Sequence, residues 1–190
     1  LVDTTAATVS SVAITGATGV SNNTLNAGDV VTVTVTLSEA VAVTGTPKLG
    51  LTVGSTVVQA SYVAAGSTAT QLKFNYTILA NQTDANGIAI AANSLSLNGG
   101  TILDLAGNAT TLTHSAVTDN AGYKVDTTAA TVSSVAITGA TGVSNNTLNA
   151  GDVVTVTVTL SEAVAITGTP QLGLTVGSTV VQASYVAAGS

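Results

Sequence analysis

Apolar and hydroxyl-bearing residues alternate strictly along Val31-Thr32-Val33-Thr34-Val35-Thr36-Leu37. A period of two puts every valine on one face of an extended segment and every threonine on the other. Leu72, Phe74, Tyr76 and Ile78 repeat the pattern, with Lys73, Asn75 and Thr77 between them. Both stretches predict strands that bury one face and wet the other. Shorter runs at 8–15, 49–53, 57–63, 88–91 and 110–113, the last reaching toward Val125, predict further strands. Clusters rich in Gly and Asn, at 16–28, 81–87 and 98–100, predict the turns between them. No window carries an apolar helical period with capping residues.

The strand pattern is written twice. Residues 1–67 return at 124–190, at an offset of 123, with only Leu1 changed to Lys124, Val43 to Ile166 and Lys48 to Gln171. A repeat of this length is the size of a domain, so the expected organisation is a complete unit at 1–123 and the N-terminal part of a near-identical second unit at 124–190. The start without Met or signal peptide, and the break partway through the second copy, suggest a window onto a longer array. About seven short strands in about 115 residues is the count of an all-β, immunoglobulin-like β-sandwich. A parallel β-helix is the rival, but it requires a shorter internal period, and none is visible.

Composition narrows the chemistry. Of 190 residues, 45% are hydrophobic but only 3% aromatic, so the core is built from Val, Ala, Ile and Leu. Cys, Met and Trp are absent, which excludes disulfides, thiolate metal sites and a Cys nucleophile. The scarcity of oxidation-prone side chains suits an oxidising, extracellular setting. Charged residues make up 6%, about a quarter of the usual share. Mean hydropathy is +0.54, yet no apolar run is long enough to span a bilayer, so membrane insertion is not expected. Nine acidic residues face Lys48, Lys73 and Lys124 with no Arg, for a net charge of −6. Nucleic acid is therefore not expected as a partner, and a divalent cation is the natural counter-charge. A Thr-, Ser- and Asn-rich surface with few charges also lowers the resistance to contact between copies.

Several short motifs follow one another along the chain: Val2-Asp3-Thr4-Thr5-Ala6 and again Val125-Asp126-Thr127-Thr128-Ala129, Ala27-Gly28-Asp29, Ser38-Glu39-Ala40-Val41, Thr83-Asp84-Ala85-Asn86-Gly87-Ile88, Asn98-Gly99-Gly100-Thr101-Ile102 and Asp104-Leu105-Ala106-Gly107-Asn108. In this order they resemble the bacterial immunoglobulin-like tandem repeats of very large surface proteins and adhesins. The resemblance covers the whole unit and its partial copy. It implies a location at the bacterial cell surface and neighbouring repeats of the same protein as partners. Two departures stand out. The family usually places Pro after the junction's Thr-Thr-Ala, where this chain has Ala7 and Ala130, so rigidity must come from contacts. The family's Asp-Ala-Asp-Gly loop reads Asp84-Ala85-Asn86-Gly87 here, one carboxylate fewer, which weakens the case for calcium in that loop.

If the strands alternate in direction, Asp3, Glu39, Asp104 and the Asn108 amide meet at one pole. Hard oxygen ligands from separate segments are what Ca²⁺ requires, and a bound ion there would stiffen a junction. In the second copy Asp126 and Glu162 hold the corresponding positions, and Asp84, Asp119 or Asn120 would have to complete them. The competing expectation is that these carboxylates only cap turns, and for Asp29 and Asp152 turn capping is the preferred expectation. No catalytic constellation is legible: His114, the single imidazole, sits in a Thr/Leu alternation and is expected to be an exposed strand residue. Phe74 and the tyrosines are expected in the core rather than stacked on sugars. The expected role is thus a non-enzymatic spacer or stalk, the alternative being a self-assembling fibre or sheet whose chains complete one another by strand exchange.

Overall fold

A computed structural model describes residues 2–187. The chain divides into two compact units, Leu1–Thr128 and Ala129–Ser190. Every regular element among the described residues is a strand. Unit 1 holds β1 (Val9–Ala17), β2 (Thr24–Leu25), β3 (Val30–Leu37), β4 (Val41–Thr44), β5 (Lys48–Val53), β6 (Thr56–Val63), β7 (Gln71–Thr77), β8 (Thr83–Asp84), β9 (Leu95–Ser96), β10 (Thr101–Asp104) and β11 (Lys124–Asp126). Unit 2 holds β12 (Val132–Ala140), β13 (Val154–Leu160), β14 (Gln171–Val176) and β15 (Thr179–Ser184).

The strict alternation in β3 does what its period dictates. Val31, Val33 and Val35 are fully buried, and each such burial is worth about 1.5–3 kcal/mol over exposure. β3 lies between β1 and β7 in a six-stranded sheet of order β1-β3-β7-β6-β5-β9. Val33 stands opposite Phe74 and Val35 opposite Leu72, so the two alternating runs present their apolar residues to the same side. Phe74 is 0% exposed and meets the Tyr62 ring edge-on, with centroids 6.0 Å apart. On the other face hydroxyl and amide groups pair: Thr15 with Thr34 at 2.8 Å, and the Thr32 hydroxyl donates to Asn75 Oδ1 at 3.0 Å.

Two smaller sheets, β10-β4 and β2-β11-β8, share the core with the large one, supplying Val41, Ile102, Leu25 and Val125. These short strands escape periodicity because each is fixed by a distant partner rather than by its own pattern. Conversely, 88–91 and 110–113 are not strands. Ile88 and Ile90 are buried as the alternation demands, but Ile88 bonds to Tyr123 and Asn120 and Ile90 exchanges both its bonds with Val117 in an isolated bridge, so no ladder forms.

The sequence period ends at residue 123, whereas the folded unit runs on to Thr128 and takes in β11. In unit 2, β12 pairs with β13 in the register of β1 with β3, including both bulges, and β14 pairs with β15 as β5 does with β6. Gly87 must be glycine: at φ 103° it lies so close to the Asn120 carbonyl that a Cβ would collide with it.

Candidate metal centre

Asp104 ends β10 and opens the tight turn Leu105-Ala106-Gly107-Asn108. Its Oδ1 accepts the N–H of Ala106 at 2.9 Å and of Asn108 at 2.8 Å, and its Oδ2 accepts Asn108 Nδ2 at 2.8 Å. The residue is 4% exposed. Burial pushes its carboxyl up, but the hydrogen bonds from the Asn108 side chain and from the N–H groups of Asn108, Ala106 and Gly107 outweigh it. The carboxyl is held below its ordinary value of 3.8, so a buried carboxylate stays ionised.

Glu39 lies in the bend between β3 and β4, and that bend is clasped to the entering chain. Ser38 N–H donates to the Thr8 carbonyl, and Thr8 N–H donates to Ser38 Oγ, both at 2.9 Å. The clasp brings the entry segment past β10. Asn108 Nδ2 also reaches the carbonyls of Asp3 and Thr5, at 3.3 and 3.4 Å, and Asp3 Oδ1 accepts Thr5 N–H at 3.0 Å. The result is that Asp3, Glu39 and Asp104, from three separate segments, each place a carboxylate oxygen within 4.8 Å of the others. Calcium holds oxygen at about 2.4 Å, so ligands on opposite sides of one ion stand about 4.8 Å apart. The donor set is all oxygen, without His or Cys, which suits a hard divalent cation rather than zinc or copper.

The other sequence candidates are placed differently. Asn108 donates its amide nitrogen to the cluster's carboxylate and carbonyls, so in this arrangement it is a clamp and not a fourth ligand. Asp84 is buried on β8, apart from this pole, where its two oxygens accept Gly87 N–H and Gly54 N–H, each at 2.8 Å. It staples two glycine turns. Asp119 accepts the Asn86 amide, and Asn120 caps Gly122. Asp126 lies on β11 and accepts Thr128 N–H at 2.9 Å, the same local turn that Asp3 makes. Glu162 belongs to unit 2, where its Oε1 is buried without a hydrogen-bond partner. Among the described residues, Asp3, Glu39 and Asp104 form the group of three. Asp29 and Asp152 cap turns as expected, accepting Asn26 and Asn149 N–H at 2.7 and 2.6 Å.

His114 corrects the expectation of an exposed residue: it is 9% exposed. Nε2 accepts Ser94 N–H and Nδ1–H donates to the Ser115 carbonyl, each at 2.9 Å, which fixes a neutral tautomer. Asn93 Oδ1 accepts His114 N–H at 3.0 Å, completing a clasp between two loops. Both ring nitrogens are committed to backbone. The signal in the sequence was parity, since His114 shares its face with Thr110 and the partly buried Leu112.

No family model, curated protein or solved structure matches the chain. No helix among the described residues is long and apolar enough to cross a membrane.

Proposed function

We propose that the chain is part of a tandem array of immunoglobulin-like sandwiches that serves as an extracellular spacer on a bacterial surface, with Ca²⁺ at Asp3, Glu39 and Asp104 stiffening the entry to each unit. The observation that carries this reading is the repetition itself: 67 residues recur with three changes. An array of equal units offers reach and multiplicity, which a single chemical site does not need. The acidic cluster supports the calcium part, because it joins the entry segment to two loops of the unit's body. An ion there would resist bending where the family's junction proline is replaced by Ala7.

A thermal melt of the full chain in calcium and in chelator tests the metal. A calcium-dependent rise of several degrees supports it, and coincident melts remove the ion from the reading. Small-angle scattering on chains of increasing repeat number tests the spacer, since maximum dimension must grow by a constant step per repeat.

The strand-exchange fibre is a second reading, favoured by one feature. β3 pairs on both edges, with β1 and β7, whereas β13 pairs with β12 alone among the described residues. Concentration-dependent sedimentation of the full chain would favour the fibre, and a constant monomer would exclude it.

A further inference from the structure

The same seven residues, Val-Asp-Thr-Thr-Ala-Ala-Thr, occur at 2–8 and at 125–131, and the structure shows them in two situations. Downstream of the valine the two copies are alike. Asp3 and Asp126 each cap the residue two positions on, and Thr8 and Thr131 each donate N–H to Ser38 Oγ and Ser161 Oγ, both at 2.9 Å. The valines differ completely: Val2 is 88% exposed and Val125 is 2% exposed.

What buries Val125 is a slot in unit 1. β11 enters between β2 and β8, parallel to the first with Val125 against Leu25, and antiparallel to the second with Val125 against Asp84. Lys124 N–H donates to the Asn23 carbonyl at 2.9 Å. Thr127 Oγ1 locks the exit by accepting Gln82 N–H at 3.0 Å and donating to the Gln82 carbonyl at 2.9 Å. Apart from the Lys124 N–H, whose position corresponds to residue 1, the groups the slot recognises (the valine side chain, the strand backbone and the threonine hydroxyl two residues on) are also present at Val2, Asp3 and Thr4.

We propose that Val2–Thr4 is a docking strand for the β2–β8 slot of a second copy of this unit. The assignment rests on the tandem-repeat reading and names its contact. Docking uses the Val2 side chain, the strand backbone and Thr4 Oγ1, whereas the cluster's ligand is the Asp3 carboxylate; the two meet only at the Asp3 carbonyl, which the Asn108 amide reaches at 3.3 Å and which has a second lone pair. One short segment therefore closes the small sheet of one unit with its backbone and joins the acidic pole of the next with a side chain. A unit cut at residue 123 lacks a strand of its own sheet.

The test uses the full chain with its slot disabled, by Val125→Asp and by the milder Val125→Ala, and a synthetic peptide of residues 1–8. The expected result is that millimolar peptide raises the melting temperature of a disabled chain by several degrees and shifts the Leu25 and Asp84 amide resonances. The same peptide with Val2→Asp does neither, and the wild-type chain, whose slot is filled, does not respond. If Val125→Asp fails to fold by circular dichroism, Val125→Ala is read alone. No response in the folded disabled chains, or an equal response to the Val2→Asp peptide or in wild type, overturns the assignment. The chelator melt and the scattering series on unmodified chains are independent of the slot. A peptide failure alongside a constant step per repeat sinks the docking strand and leaves the array standing.

Discussion

Replacing His114 by Phe should destabilise unit 1 by about 2 kcal/mol, and the figure follows from which bonds water can replace. The substitution keeps an aromatic side chain in the same place and removes both ring nitrogens. Ser94 N–H, half-buried, loses its acceptor at 2.9 Å, at a cost of about 1–2 kcal/mol for a donor shielded from solvent. The Ser115 carbonyl loses a donor at the same distance, but Ser115 is exposed, so rehydration limits that loss to about 0.5 kcal/mol. His114→Ala adds the lost packing of the ring and should cost about 3 kcal/mol.

Thermal unfolding followed by far-ultraviolet circular dichroism reads the effect. With an unfolding entropy of about 0.27 kcal/mol/K for a unit of this size, a loss of about 2 kcal/mol lowers the midpoint by about 7 °C. Asn93→Gly is the matched control. It removes the oxygen that accepts His114 N–H while tolerating the left-handed backbone at φ 57°, and it should be milder than His114→Ala. A His114→Phe chain within about 0.5 kcal/mol of wild type would mean that the ring nitrogens are solvated and the clasp is not a structural bond.

Three further outcomes are expected. Because the Asp104 carboxyl is lowered in the fold, its contribution is complete above the ordinary aspartate value of 3.8 and is lost as pH falls through the lowered one; Asp104→Asn should flatten the acid limb of a midpoint-against-pH curve, and an unchanged limb refutes this. Phe74→Ala, at the fully buried centre of β7, should cost about 3–5 kcal/mol in urea unfolding, with Phe74→Leu well under half of that. Asn108→Asp trades the amide clamp for a fourth carboxylate, so it should lower the midpoint in chelator yet enlarge the calcium-dependent rise; equal responses to calcium in variant and wild type would count against an ion at this pole.

How much of this was legible depended on how far away each residue's partner lies. β3 and β7 could be read because each buries one face along its whole length, and period two is a property of the strand itself. β4 and β10 could not. Val41–Thr44 and Thr101–Asp104 are four residues each, and they are strands only because they pair with one another across the intervening chain. The reverse error at 88–91 has the same origin: burial at Ile88 and Ile90 creates the alternation, but isolated bridges in place of a ladder deny it regular structure. At the acidic pole, the residue types and their convergence could be read from turn positions. The direction of the Asn108 amide could not, because it is set by the Asp104 carboxylate and two entry-segment carbonyls rather than by sequence spacing. The stapling role of Asp84 was hidden for a related reason, since a carboxylate that holds two glycine turns has the same sequence appearance as one that binds an ion.

The two copies allow a sharper argument about what each level of structure costs to specify. Hairpins are encoded locally: β12 with β13 keeps both bulges of β1 with β3, in a unit whose valines and isoleucines are far more exposed. Closure of the core is not local, because β7, which ties β3 to β6, comes from the segment 68–123, beyond the stretch 1–67 that carries the hairpins. Equal units therefore need agreement at hairpin registers and along the Val-Asp-Thr-Thr run, and tolerate change elsewhere. The copies differ accordingly. Val43, replaced by Ile166, is half-buried on β4, where an added methylene has room to reach solvent. Lys48, replaced by Gln171, gives up a hydrogen bond from Nζ to the Ser61 hydroxyl, a contact that water can replace. The third change, Leu1 to Lys124, falls on the first residue of β11, where the bond to the Asn23 carbonyl is made by the backbone N–H and does not depend on the side chain. None of the three touches the β3 alternation, the Val-Asp-Thr-Thr run or the Asp3 and Glu39 positions, which is the pattern expected if register and junction backbone are what each copy must preserve.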